Sequence, residues 1–256
     1  PIGSRGLGDV YKRQDLMISG IVPPETSNPE KNPDFDMIDA QLTTEIFGFF
    51  SPARPDFAVE MAELPIQTTA RFNAEWISKF YVSMYSMAAN ADPNLTTKEN
   101  LINFAEKSRA LLPDDSYSAK MYDFVKKQYY EDIAWETIRD NVYQRYQVEQ
   151  KDGYDLTSRN MRCNACAAAG INFAASIISL FAGEGDLKKT IKIGSLSGWD
   201  SDNPTATWGG LIGFMIGADG VEKAFDRKFS EEYNIHRTRQ NFPNAIDNFT
   251  NMANIG

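Results

Sequence analysis

Two carboxylates stand two residues apart in the stretch Gly198-Trp199-Asp200-Ser201-Asp202-Asn203-Pro204-Thr205-Ala206-Thr207. A glycine opens this loop, and the apolar, Gly-spaced run Trp208 to Gly217 that follows reads as a helix. Asn203-Pro204 has the form of a helix start, with Asn as N-cap and Pro at the first helical position, where its missing N–H costs nothing. The partial positive charge of that helix end favours ionised Asp200 and Asp202. Ionised oxygens projected from a fixed turn suit a hard cation such as Mg²⁺ or Mn²⁺. The plainer alternative is that the pair only complements the helix dipole. An EF-hand is excluded, because its fifth and sixth loop positions are here Pro204 and Thr205.

The surrounding text adds to this. Gly183-Glu184-Gly185-Asp186-Leu187 precedes the loop, and Ala206-Thr207-Trp208-Gly209-Gly210-Leu211-Ile212-Gly213 follows it. That order resembles the C-terminal metal-binding segment of the ADP-ribosylglycohydrolase family, G-x-G-D-F, then G-x-D-[ST]-D-[TSN], then A-[AT]-x-G-G-x-x-G. Leu187 stands where many members carry Phe. A second block, Ile38-Asp39-Ala40-Gln41 through Glu45-Ile46-Phe47-Gly48 to Ala62-Glu63-Leu64, is similar to another family pattern. A departure follows it: where many members carry a Ser-His pair and a Gly-containing substrate loop, this chain has Thr68-Thr69-Ala70-Arg71-Phe72-Asn73.

The resemblance implies a binuclear Mg²⁺ or Mn²⁺ hydrolase that cleaves ADP-ribose from an N- or O-glycosidic linkage. It transfers Asp200 and Asp202 as metal ligands, and Asn203 where most members have Thr or Ser. Trp199 stacks on adenine or a ribose face, or packs in the core; Arg71 and Asn73 meet a diphosphate or ribose. The remaining metal ligands and the acid/base are expected upstream of Asp15.

Composition narrows the classes. A net charge of −9 with one His leaves no basic stripe for phosphate neutralisation, so nucleic acid is not an expected partner. No apolar run reaches membrane-spanning length; Ala165 to Ala182 comes nearest and is broken by Gly170 and Asn172. Cys163 and Cys166 form a C-x-x-C, but only His236 is available to complete a zinc site, so both read as small packing residues at the start of an Ala-rich helix. Residues 1–14 read as the in-frame translation of a sequencing-library adapter and are expected to be an assembly artefact. With no initiator Met, residues 15–256 are expected to be the C-terminal portion of one domain, inactive by itself.

The elements that must position the loop are all helical. Apolar spacing predicts a helix from Asp36 with Ile38, Leu42, Ile46 and Phe49 inward, then a short one over Phe57 to Leu64 and an aromatic-rich one over Ala74 to Ala89. Thr96 and Glu99 form a capping box that opens a helix from Asn100 to Leu112. Tyr117 to Tyr130 and Trp135 to Tyr146 follow, then the most apolar helix, Ala165 to Ala182, expected to be central, and Leu187 to Leu196. Gly209, Gly213 and Gly217 predict a smooth face for close backbone packing. With no alternating strand run, the expected architecture is all-α: one compact multi-helix ADP-ribosylglycohydrolase-like domain with its N-terminal part missing. The alternatives to an enzyme are a non-catalytic ligand-binding or structural relative, and a helical adaptor. An adaptor is disfavoured because the unusual residues gather in one polar loop.

Overall fold

Stretches with apolar residues three and four apart become helices, and Pro-, Asn- and Gly-rich stretches become most of the turns between them. The computed structural model describes residues 8–155, 166–234 and 246–255. In chain order the helices are α1 (Gly8–Ile18), α2 (Asp39–Thr43), α3 (Ile46–Phe50), α4 (Pro55–Ile66), α5 (Asn73–Ala88), α6 (Thr97–Arg109), α7 (Tyr117–Tyr130) and α8 (Trp135–Val142). They continue with α9 (Ala169–Gly183), α10 (Leu187–Leu196), α11 (Asp202–Phe225) and α12 (Phe249–Ile255). The all-α expectation holds, with one small addition. Strands β1 (Glu232–Asn234) and β2 (Ile246–Asn248) pair antiparallel, Glu232 opposite Asn248.

Two helices form the centre. α9 is buried along nearly its whole length and packs on α5, α7, α8, α10 and α11. α5 is buried almost as completely and carries α2, α3, α4 and α6 against it. Their seam is aromatic: the rings of Phe80 and Phe173 meet edge to face at 5.2 Å, and Tyr81 meets Trp208 of α11 at 5.6 Å. Such pairs add about 0.5–1.5 kcal/mol each beyond area burial. The indole N–H of fully buried Trp208 donates to the Ser176 carbonyl at 2.8 Å, so its polar edge is satisfied.

Several sequence expectations shift. The helix predicted from Asp36 is two, because the backbone breaks at Thr44 and Glu45; Leu42 before the break and Ile46 after it are exposed, while Phe49 still packs inward on Tyr85. α4 buries its small residues Ala58 and Ala62, with Ile66, rather than Phe57 and Met61, which stay exposed. The central helix starts at Ala169, later than Ala165, and Cys166 is disulfide-bonded rather than a reduced packing thiol. Cys163 lies outside the described residues. The Thr96–Glu99 capping box is formed in full, with the Thr96 oxygen accepting from the Glu99 N–H at 3.2 Å. α1 runs across the expected junction at Asp15, and the buried Arg13 lies 3.5 Å from Asp39.

The glycines that permit close packing are not the three spaced along α11. A Cβ at Gly209 or Gly213 meets only ordinary contacts, and one at Gly217 meets nothing; Gly217 instead breaks α11 with φ 70°. Tight ones include Gly183, where a Cβ would run into the Thr190 side chain, and Gly48, where it would fall 2.5 Å from Tyr85 Cβ and 2.6 Å from the Val82 carbonyl. Gly48→Ala is therefore expected to force α3 off α5 and to cost about 1–3 kcal/mol. An unchanged urea midpoint for that variant would contradict the packing described.

Candidate active site

The turn that precedes α10 is built from Glu184 in the left-handed region and Gly185, whose φ is 75° and whose position beside the Lys98 backbone has no room for a Cβ. Asp186 then caps α10, its side chain accepting from the Lys189 N–H at 2.7 Å. After α10 the chain reverses through Gly198 (φ 94°) and Trp199 (φ 53°). The Asp200 N–H donates to Asn172 Oδ1 at 3.1 Å, and the amide nitrogen of Asn172 donates in turn to the carbonyls of Cys166 and Ala168. The acidic loop is thus pinned to the first turn of the central helix.

α11 begins at Asp202 with Ser201 in the cap position, so Asn203 is not the N-cap and Pro204 is the third helical residue. The side chain of Asn203 makes no cap bond; it is buried at 4 % exposure with its amide nitrogen unpartnered. Pro204 is still harmless there, because the first turn's N–H groups have no intrahelical partner.

Asp200 is half-buried and Asp202 exposed. Burial, then the hydrogen bond and the like charge of Asp202, push the Asp200 carboxyl up to about 7. The two carboxyls are close enough to share a proton, and a cation between them relieves the same repulsion. Among the described residues no group of three His, Cys, Asp or Glu side chains is arranged to hold a metal ion. Asp200 and Asp202 are the two carboxylates of this loop whose oxygens could ligate a hard cation. Trp199 is partly buried against the core cluster, which leaves one part of the ring covered and the other accessible.

Arg71 lies in the turn that leads into α5 and Asn73 is the first residue of that helix. The guanidinium of Arg71 donates to the Pro24 carbonyl at 3.0 Å. Asn73 Oδ1 accepts from the N–H and hydroxyl of Ser118 at 3.1 and 2.9 Å, and the residue borders a cavity of about 320 Å³. The two regions are joined through the start of α9: the Ala169 N–H donates to the Asp36 carbonyl, one turn before the Asn172 that holds Asp200.

Two buried carboxyls have no counterpart among the residues singled out from the sequence. Asp36, at the base of that cavity, receives the Tyr117 hydroxyl at 2.6 Å; burial outweighs this bond and pushes its carboxyl up to about 7. Glu45 receives the Thr207 hydroxyl at 2.6 Å, while the Tyr85 hydroxyl donates to the Thr207 carbonyl at 2.7 Å. The carboxyl end of Glu45 lies deep although the residue keeps some exposed surface, and burial raises it to about 7 as well. The only available signal for Glu45 is its place in the E-x-x-G block; Asp36 has none, because the helix expected to begin at Asp36 is a loop.

A family model described as ADP-ribosylglycohydrolase matches residues 11–251. The chain belongs to the ADP-ribosylglycohydrolase family. Neither a curated protein nor a solved structure matches it. The helical architecture agrees with membership, and the pinned loop between α10 and α11 lies within the matched residues. No helix among the described residues is long and apolar enough to cross a membrane.

Proposed function

We propose that this ADP-ribosylglycohydrolase is a metal-dependent hydrolase that removes ADP-ribose from a modified protein or small molecule. Asp200 and Asp202 hold Mg²⁺ or Mn²⁺ in this reading, two ions in the complete site. The observation that carries it is the close carboxylate pair fixed by Asn172 in a chain of this family. Asn203 supplies an amide oxygen, which its release from capping leaves available, although its burial makes it the weakest of the three. When bound, the cation supplies Lewis-acid polarisation of oxygen ligands and an activated water. The protein's own part is orientation: Trp199 offers a ring to a ribose or adenine face, Arg71 donates to a diphosphate, and Asn73 to a ribose hydroxyl.

One observation favours the second reading, a non-catalytic relative that binds ligand. No third acidic or His ligand stands beside the pair among the described residues. In that reading the chain binds its ligand without a cation and without turnover. Calorimetric titration with Mn²⁺, followed by ADP-ribose, separates the two. Saturable Mn²⁺ binding that tightens ADP-ribose binding by about tenfold or more, equivalent to roughly 1.4 kcal/mol, supports the metal site. ADP-ribose binding that is indifferent to Mn²⁺ and to chelator supports the non-catalytic reading.

A further inference from the structure

The cavity beside Asn73 has a chemistry unlike that of the acidic loop. Four aromatic residues line it: Phe35, Phe72, Trp76 and Tyr117. Three of the rings form a corner rather than a flat stack, since Phe72 meets Phe35 at 6.0 Å and 88°, and Trp76 at 6.5 Å and 62°. The charged lining is acidic throughout: Asp36, Asp115 and Asp152, with no Lys, Arg or His among the described lining residues.

These carboxyls differ in what they offer. Asp152 is held by the Arg145 guanidinium at 2.9 to 3.1 Å and by the Tyr146 hydroxyl. Asp36 is buried at the base under the Tyr117 hydroxyl. Asp115 is exposed at the rim. With Asp152 already paired to Arg145 and Asp36 buried, an anion entering this space meets the exposed charge of Asp115 and no lining cation. A neutral apolar group gains the rings but leaves the acidic rim without a partner. An organic cation is served by both, because its charge lies over the negative faces of the rings and near a carboxylate.

We propose that this cavity binds an organic cation of the quaternary ammonium class, in the corner that Phe35, Phe72 and Trp76 form, with Asp115 at the rim. None of its lining residues belongs to the Asp200–Asp202 loop, so the site stands whether or not that loop holds a metal.

Choline and its uncharged carbon isostere, 3,3-dimethylbutan-1-ol, provide the test, titrated into the full chain by calorimetry. Choline is expected to bind about fivefold more tightly than the isostere, as a charge over partly exposed rings requires. Phe72→Gly is the informative variant. Phe72 sits at φ 53° and ψ −121°, a conformation Gly adopts freely, so this change removes one wall without opposing the backbone. It should keep the melting temperature and weaken choline binding by about fivefold or more. Trp76→Leu should weaken binding similarly, and Asp200→Ala should leave it unchanged. Equal binding of choline and the isostere, or no choline binding at all, would each overturn the proposal.

Discussion

Replacing Asp200 by Asn is expected to move stability in opposite directions with and without divalent cation. In chelator, the variant loses a half-buried charge set against Asp202 and should be as stable as the parent or more so. Discounted for solvent screening, the gain is about 1 kcal/mol at neutral pH. The backbone bond to Asn172 is untouched, so the loop keeps its shape. In Mn²⁺ the order reverses. The parent gains binding free energy, about 2.7 kcal/mol at a cation concentration a hundred times Kd, and the variant gains nearly none. Thermal melts of both proteins in EDTA and in Mn²⁺ measure this directly. A variant that keeps the parent's Mn²⁺-induced rise would show that the pair is not the metal site.

Stability should also fall as pH rises from about 5 to 8, owing to Asp36 and Glu45. Each carboxyl titrates near 7 in the folded chain, above its ordinary values of 3.8 and 4.5. Between the unfolded and folded values the native state holds a proton that the unfolded state has released. Their stabilising contribution is thus fully present below about pH 4, declines as pH rises, and is lost above about pH 7. A tenfold difference in proton affinity between the two states is worth about 1.4 kcal/mol, so each group accounts for about 3 kcal/mol across that range. Asp36→Asn and Glu45→Gln should each flatten the profile and raise stability at pH 8, because a neutral amide oxygen still accepts from the Tyr117 or Thr207 hydroxyl. Urea titrations at pH 5 and pH 8 give the sign. A parent more stable at pH 8, with both variants parallel to it, would show that these carboxyls are ionised at no cost.

The carboxylate loop is legible in the sequence because its chemistry is local: Gly198, two Asp and a helix-starting Asn-Pro lie within a few residues. The helix boundary is less so, since Asn and Pro both tolerate the first turn and local preference does not decide between Asp202 and Pro204 as its start. The Phe72 wall is illegible, because its positive φ runs against its own preference and is imposed by the packing of Phe35 and Trp76 around it. Glu45 and Asp36 escape a local reading because their partners, Thr207 and Tyr117, are 162 and 81 residues away.

Periodicity and near neighbours in the chain are enough to settle the helical class, the central apolar helix, the Thr96 cap and the acidic pair. They do not settle which side of α2, α3 and α4 is buried, which glycine must stay bare, or which carboxyls leave water; those follow from the packed fold. Burial belongs to surfaces that meet across the molecule. A side chain's exposure, and with it the protonation of an acid, is set by helices that the local sequence does not name.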